Sequence, residues 1–198
     1  MKGEQHIQKT ISHEEINTLP LKSFHGKISL ITEIKDLPKA FKEMQDHEVI
    51  GFDTETKPAF VKGQVHKVSL LQLAIPHKVF LIRLNFTGLH DEIAHFLENE
   101  KNIKAGVGIR DDIKILHKLG RFHAAGFVEL STMAREAGLE VESVKKLAAL
   151  LLGFRISKGA QTSNWEAAHL NEKQIMYAAT DAWVCLEIYK KLNGKKIH

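Results

Sequence analysis

The chain has 198 residues, of which 43% are hydrophobic and 26% charged, and a formal net charge of +4. That is enough apolar mass for the core of one domain, with a charge compatible with a polyanionic partner but not demanding one. Its one cysteine, Cys185, excludes an internal disulfide, and no run of about 18 apolar residues or signal-peptide core interrupts it, so the expectation is a cytoplasmic protein without a membrane span. The twelve histidines show no H-x-x-x-H spacing and no cysteine partner, so no zinc site is read from them.

In chain order, residues 1–26 read as a polar lead-in, loosely packed, with a short helix where Ser12 and Glu15 form a capping-box pattern. Residues 27–198 read as one domain. Lys27–Ile31 is a first strand, and Asp36–His47 an amphipathic helix with Leu37, Ala40, Phe41 and Met44 on one face. Val49–Thr56 is a strand, followed by a basic loop from Lys57 to Gly63. Val65–Ile75 and Lys78–Ile82 are strands joined by Pro76-His77, an antiparallel hairpin that extends a β-meander. Helices and strands then alternate. A helix over His90–Asn99 precedes a strand over Ile103–Gly108. A second helix, Asp111–Leu119, ends at Gly120, and Phe127–Leu130 is a strand leading to a helix that ends near Ala137. Val144–Leu152 is an apolar helix ended by Gly153, Arg155–Trp165 an irregular loop and Asn171–Leu192 a long helix. A meander followed by alternating elements predicts an α/β fold with a mixed sheet flanked by helices.

Three places carry acids in a pattern. In Val49-Ile50-Gly51-Phe52-Asp53-Thr54-Glu55-Thr56, two carboxylates end a buried strand. Alternation along a strand points Asp53 and Glu55 one way and Thr54 the other. Two anions on one face repel unless a cation lies between them, and a hard divalent cation suits oxygen ligands. D-x-E is also short and common, and reads equally as a solvated strand end. In the last helix, Tyr177 and Asp181 stand four residues apart and so share a face, among Ala178, Ala179 and Ala182, which let the helix lie close to a neighbour. Taken alone, that pair reads as a core tyrosine and an exposed acid. Asp111-Asp112 alone reads as ordinary acidic residues at a helix start.

The order D-x-E, aspartate at a helix start, then Y-x-x-x-D resembles the three motifs of the DEDD superfamily of 3′–5′ exonucleases, in the subgroup with tyrosine in the third motif, the group of RNase D and the Werner-type exonuclease domains. The residues that carry the resemblance are Phe52-Asp53-Thr54-Glu55, Lys67–Leu73, Gly106–Asp112, Ser163-Asn164-Trp165 and Gln174–Ala182, and it spans roughly Ile28 to Leu192. It implies a ribonuclease H-like fold and a metal-dependent enzyme. The reaction would be two-metal-ion hydrolysis of phosphodiester bonds, releasing nucleotides from the 3′ end of a nucleic acid. Asp53, Glu55, Asp112 and Asp181 would be the metal ligands for two Mg²⁺ or Mn²⁺ ions, with Asp53 shared between them. Asp112 is preferred to Asp111 because an apolar residue, Ile113, follows it. Tyr177 would orient the attacking water, since a phenol is a poor base at neutral pH. The polymerase relatives carry an asparagine where Gly108 stands, so no substrate contact is expected from that position.

Lys62, Lys67, Lys114 and Lys158 are candidate phosphate contacts, with Lys158 favoured by the resemblance. Thr56 is placed near the terminal nucleotide, and Trp165 is expected to anchor its loop against the last helix. DNA is favoured over RNA as substrate. The alternatives are an RNase D-like exoribonuclease and a non-catalytic nucleic-acid-binding domain of the same fold. A phosphatase with Asp53 as nucleophile is a further rival, but it leaves Y-x-x-x-D unexplained.

Overall fold

The computed structural model describes residues 8–61 and 63–194. Six strands form one sheet in the order β1-β4-β3-β2-β5-β6. They are β1 (Lys27–Ile31), β2 (Val49–Thr56), β3 (Val68–Ile75), β4 (Lys78–Arg83), β5 (Ile103–Gly106) and β6 (Phe127–Glu129). The meander expected from the sequence is present: β2 pairs antiparallel with β3, and β3 antiparallel with β4. The remaining neighbours, β1 with β4, β2 with β5 and β5 with β6, are parallel. This is the mixed α/β sheet that the alternation of elements predicted.

The helices are α1 (His13–Thr18), α2 (Leu37–Met44), α3 (Leu84–Thr87), α4 (Asp91–Glu98), α5 (Ile109–Leu116), α6 (Leu130–Glu136), α7 (Val144–Leu152) and α8 (Glu172–Gly194). They divide between the two faces of the sheet. Ile50 and Phe52 of β2 pack with α2, α4 and α5 in one apolar cluster that holds Leu37, Phe41, Met44, Ile93, Phe96, Ile109 and Leu116. On the other face, Leu70 and Ala74 of β3 meet Tyr177, Ala178, Ala179 and Ala182 of α8. A third cluster joins α6 and α7 to the outer turns of α8 through Leu130, Leu147, Val184 and Ile188.

The approach of α8 to β2 depends on small residues on both sides. A Cβ built on Gly51 would lie 2.0 Å from the carbonyl oxygen of Ala182. Gly51 shares strand parity with Asp53 and Glu55, so the same contact that glycine permits draws Asp181 up against the two strand acids.

Several boundaries differ from expectation. Strand β3 begins at Val68 rather than Val65, because its partner β2 ends at Thr56 after a register shift between Glu55 and Thr56. Helix α5 begins at Ile109, two residues before the expected start, on a left-handed Gly108 with φ of 80°. Glu129 accepts the Gly108 and Ile109 N–H groups at 2.9 and 3.0 Å, filling the capping role that glycine cannot supply.

The lead-in was expected to be loose, and its residues 1–7 lie outside the described residues. Its remainder is tied down. Ser12 and Glu15 make the predicted capping box, the Arg155 N–H donates to Pro20 at 3.0 Å, and the Lys22 N–H donates to Arg155 at 2.9 Å. The Phe24 N–H reaches the Thr180 hydroxyl at 3.1 Å, one residue from Asp181. No described helix is long and apolar enough to cross a membrane.

Candidate metal centre

Asp53, Glu55 and Asp181 converge. One carboxylate oxygen from each lies within 4.8 Å of the others. Asp53 and Glu55 come from the end of β2, beyond its pairing with β5 but still paired with β3, and Asp181 from the α8 turn seated on Gly51. Tyr177, one turn earlier on the same helix face, lines the same groove of about 420 Å³, together with Thr54, Ser143, Lys145, Lys158 and Gln161.

Asp112 approaches from the opposite side of the sheet. Alternation turns Thr54 toward α5, and its hydroxyl donates to Asp112 Oδ1 at 2.6 Å. Asp112 therefore reaches the site around the edge of the strand and stands outside the group of three. Its neighbour Asp111 is exposed, so of the two candidates it is Asp112 that faces the site. Both acids stand in the first turn of α5, as the sequence placed them, and the hydrogen bond to Thr54 is what distinguishes Asp112 from Asp111.

The electrostatics are those of buried acids crowded together. Burial, and then the charges of Asp181, Glu55 and Asp112, push the Asp53 carboxyl well above the ordinary range. Burial followed by Asp181 and Asp112 raises Glu55 to about 9. Burial also raises Asp112 to about 6 against the pull of the Thr54 hydrogen bond. Asp181 is lifted to about 6 by burial, with the Tyr177 hydroxyl and the Lys145 ammonium drawing it back. The Tyr177 hydroxyl is itself pushed far upward, first by burial and then by Asp181 and Glu55, so it stays protonated.

The residues present fit a divalent cation. All the donors are oxygen, which suits Mg²⁺ or Mn²⁺ better than zinc. Asp181 is 7% exposed, and its Oδ1 is buried with no hydrogen-bond partner. An orphaned carboxylate oxygen costs free energy unless something positive meets it. A cation among Asp53, Glu55 and Asp181 would supply that partner and lower all three raised carboxyls.

The other expected residues divide. Thr56 is half-buried next to Glu55 and stands outside the groove lining, with a buried hydroxyl oxygen that has no partner. Lys158 is exposed and lines the groove. Lys67 and Lys114 are exposed and stand outside the groove lining, and Lys62 lies outside the described residues. Trp165 is fully buried, with its ring 6.1 Å from that of Tyr177, and packs its loop against α8 as expected. The loop is further fastened where Gln174 donates to the Asn164 carbonyl and Glu166 takes His66 and Lys57.

Among the groove residues that escaped the sequence reading are Thr54 and Lys145. Thr54 was assigned correctly to the opposite face, but nothing local says that a helix carrying Asp112 lies there. Lys145 looks like a surface lysine in the first turn of an apolar helix. Its place two residues after the Ser143 cap was the one available signal.

Comparison with known proteins gives consistent results. A family model described as 3′-5′ exonuclease matches residues 28–196. The mouse bifunctional 3′-5′ exonuclease/ATP-dependent helicase WRN is 32% identical over 198 residues, covering 95% of this chain and 14% of that protein. DNA polymerase I of Aquifex aeolicus (strain VF5) is 29% identical over 162 residues, covering 82% of this chain and 26% of the polymerase. The chain thus spans a minor part of each of these two relatives. Among solved structures, the Aedes aegypti Nibbler EXO domain superposes with a TM-score of 0.78 at 22% identity, covering 87% of this chain and 91% of that one. Escherichia coli RNase D gives a TM-score of 0.76 at 20% identity, covering 85% and 44%. Both show the same ribonuclease H-like fold.

Proposed function

Because the chain belongs to the 3′-5′ exonuclease family, we propose that it hydrolyses phosphodiester bonds at the 3′ end of a nucleic acid strand, with divalent cations held at the carboxylate site. The observation that carries this reading is the convergence of Asp53, Glu55 and Asp181 within 4.8 Å, around an Asp181 oxygen that has no partner of its own.

When bound, divalent cations supply charge stabilisation at the phosphoryl oxygens and lower the pKa of water at the site. Asp53, Glu55 and Asp181 would hold a first cation, and Asp112, which accepts the Thr54 hydroxyl, would serve a second. Tyr177 keeps its proton at neutral pH, because burial and the surrounding acids raise it. It therefore orients the attacking water through its hydroxyl and takes no proton from it. Lys158, exposed on the groove wall, meets a phosphate oxygen, and Thr56, directly after Glu55 on β2, is assigned to the terminal nucleotide.

DNA is the favoured substrate, in keeping with the 32% identity to the WRN protein and the 29% identity to a DNA polymerase. RNA is the second reading. A Trypanosoma brucei RNase D that superposes with a TM-score of 0.73 at 19% identity was solved in complex with RNA U12. The test is digestion of matched 5′-labelled DNA and RNA strands, single-stranded and recessed, with Mg²⁺ or Mn²⁺ and with EDTA. A ladder of products shortened from the 3′ end, absent in EDTA and absent for Asp181→Asn, is the expected result. Digestion that survives EDTA, or full activity in Asp181→Asn, would overturn the assignment.

A further inference from the structure

The carboxylate groove borders a cavity of about 430 Å³ between α1 and the start of α7, whose walls include His13, Asn17, Lys145, Lys146, Arg155 and Lys158. The two spaces share Ser143, Lys145, Ile156 and Lys158, so they lie on either side of one common wall. Four of the wall residues are cations, and none of them is in an ion pair within 4 Å among the described residues. Lys145 stands between the two spaces, with Lys158 on the wall they share and the Asp181 carboxylate on the groove side.

The second wall is held in place. Arg155 is fixed by its backbone to Pro20 and Lys22, and its Nε donates to the Leu19 carbonyl at 3.1 Å. That contact straps the end of α1 over the cavity. On α1, Glu15 is turned away to cap its own helix through Ser12. Glu140 and Glu142 share a separate cleft with Lys146 on its other side. The acids are thus arranged around this space while the cations face it.

We propose that this cavity is a phosphate-binding subsite for the substrate strand. The proposal rests on the exonuclease reading of the carboxylate site. If only the terminal nucleotide is released, every further phosphate of the bound strand lies 5′ of the cut. The strand must leave the carboxylates along a path that neutralises its charge, and this is the cationic surface beside them. The N-terminal segment thereby becomes part of the nucleic-acid interface, and Lys145 stands at the junction, with Asp181 on one side and the subsite on the other. Loss of a lysine that meets a phosphate weakens binding whatever the base sequence and makes the salt dependence shallower.

The experiment measures binding of a 5′-fluorescent single-stranded 12-mer by anisotropy in EDTA, where no strand is cut, across a salt series. Lys146→Glu changes the α7 wall and Asn17→Asp the facing α1 wall. Asn17 is exposed, so its variant carries the test even if Lys146→Glu fails to fold, which circular dichroism and Tm report. The expected result is roughly tenfold weaker binding for Lys146→Glu, with a log–log salt slope shallower by about 0.7 for the lost single-strand contact, and a smaller loss for Asn17→Asp. Wild-type affinity and slope in both folded variants would overturn the subsite, and wild-type digestion in Mn²⁺ would leave the hydrolytic reading standing. Weakened binding in the variants of a wild-type protein that digests no 3′ end would support the subsite and remove the hydrolytic reading.

Discussion

Strand β5 has a buried polar group near each of its ends, and the two are built on opposite terms. Near its start, Lys104 is fully buried, yet its ammonium donates to the carbonyl of Asn99 at 2.6 Å and to that of Phe96 at 3.4 Å, closing the end of α4. It also stands over the rings of Phe96 and Phe127 at 5.5 and 5.1 Å. Asn102 beside it donates to His47 at 2.8 Å and accepts from Asn99 at 2.8 Å. Beyond its other end, past Gly106, lies Asp112 with the three clustered acids, where like charges face one another and the Asp181 Oδ1 and Thr56 Oγ1 have no partner. Burial that is answered from within the chain holds a fold together. Burial left unanswered costs stability, and it persists where a solute completes it.

Charge removal should separate the two regions most sharply. Asp181→Asn and Asp53→Asn should lower metal-dependent 3′-end digestion by at least roughly 100-fold, the scale on which even the partners of metal ligands act. Both should keep or raise Tm in EDTA, because each removes a repelled carboxylate. A fall in Tm parallel to the fall in activity would make the acids structural.

Smaller losses are expected from the residues that orient the acids. Tyr177→Phe should reduce kcat by roughly 10–100-fold, and Thr54→Val, which frees Asp112, by about tenfold with a higher metal requirement. Titrating Mn²⁺ at saturating substrate distinguishes the two, since only the Thr54 variant should be rescued by more metal.

At the opposite end, Lys104→Met keeps the aliphatic stem and deletes the donor. It should cost about 1–3 kcal/mol in urea unfolding and leave the digestion rate unchanged at a temperature where it is folded.

The pH dependence of stability should differ in sign between the two ends. Glu55 is raised from 4.5 to about 9, so the folded protein binds its proton more tightly than the unfolded chain, and its contribution to stability falls as pH rises through that window. Lys104 is lowered from 10.5 to about 8, so the unfolded chain binds the proton more tightly and stability rises between those values. Urea unfolding in EDTA across pH should show Glu55→Gln reducing the fall and Lys104→Met removing the rise. Saturating Mg²⁺ or Mn²⁺ should raise Tm for the wild type and leave it unmoved in Asp181→Asn.

Much of this was legible from residue order. Strands β1, β2 and β4 and helix α7 with its Gly153 stop follow from alternation and helical spacing, whereas the acids at 53, 55, 112 and 181 were singled out as a set by the family resemblance of the motif order. The start of α5 was not, since a left-handed Gly108 capped by Glu129, a residue 21 positions away, begins the helix earlier than its acids suggest. Nor was the strap at Arg155, whose bonds to Leu19 and Pro20 join segments more than a hundred residues apart.

By itself, the sequence determined which residues carry charge and which face of each element they occupy, because helical and strand periods are local properties of the backbone. Only the tertiary structure decided what those faces meet. Gly51 admits α8 and so places Asp181 against Asp53, α5 packs on the reverse face and gives Thr54 an acid to hold, and α1 folds back to wall the cationic cavity beside Lys145. Each of these is a contact between distant segments, set by close packing of surfaces that no local pattern describes.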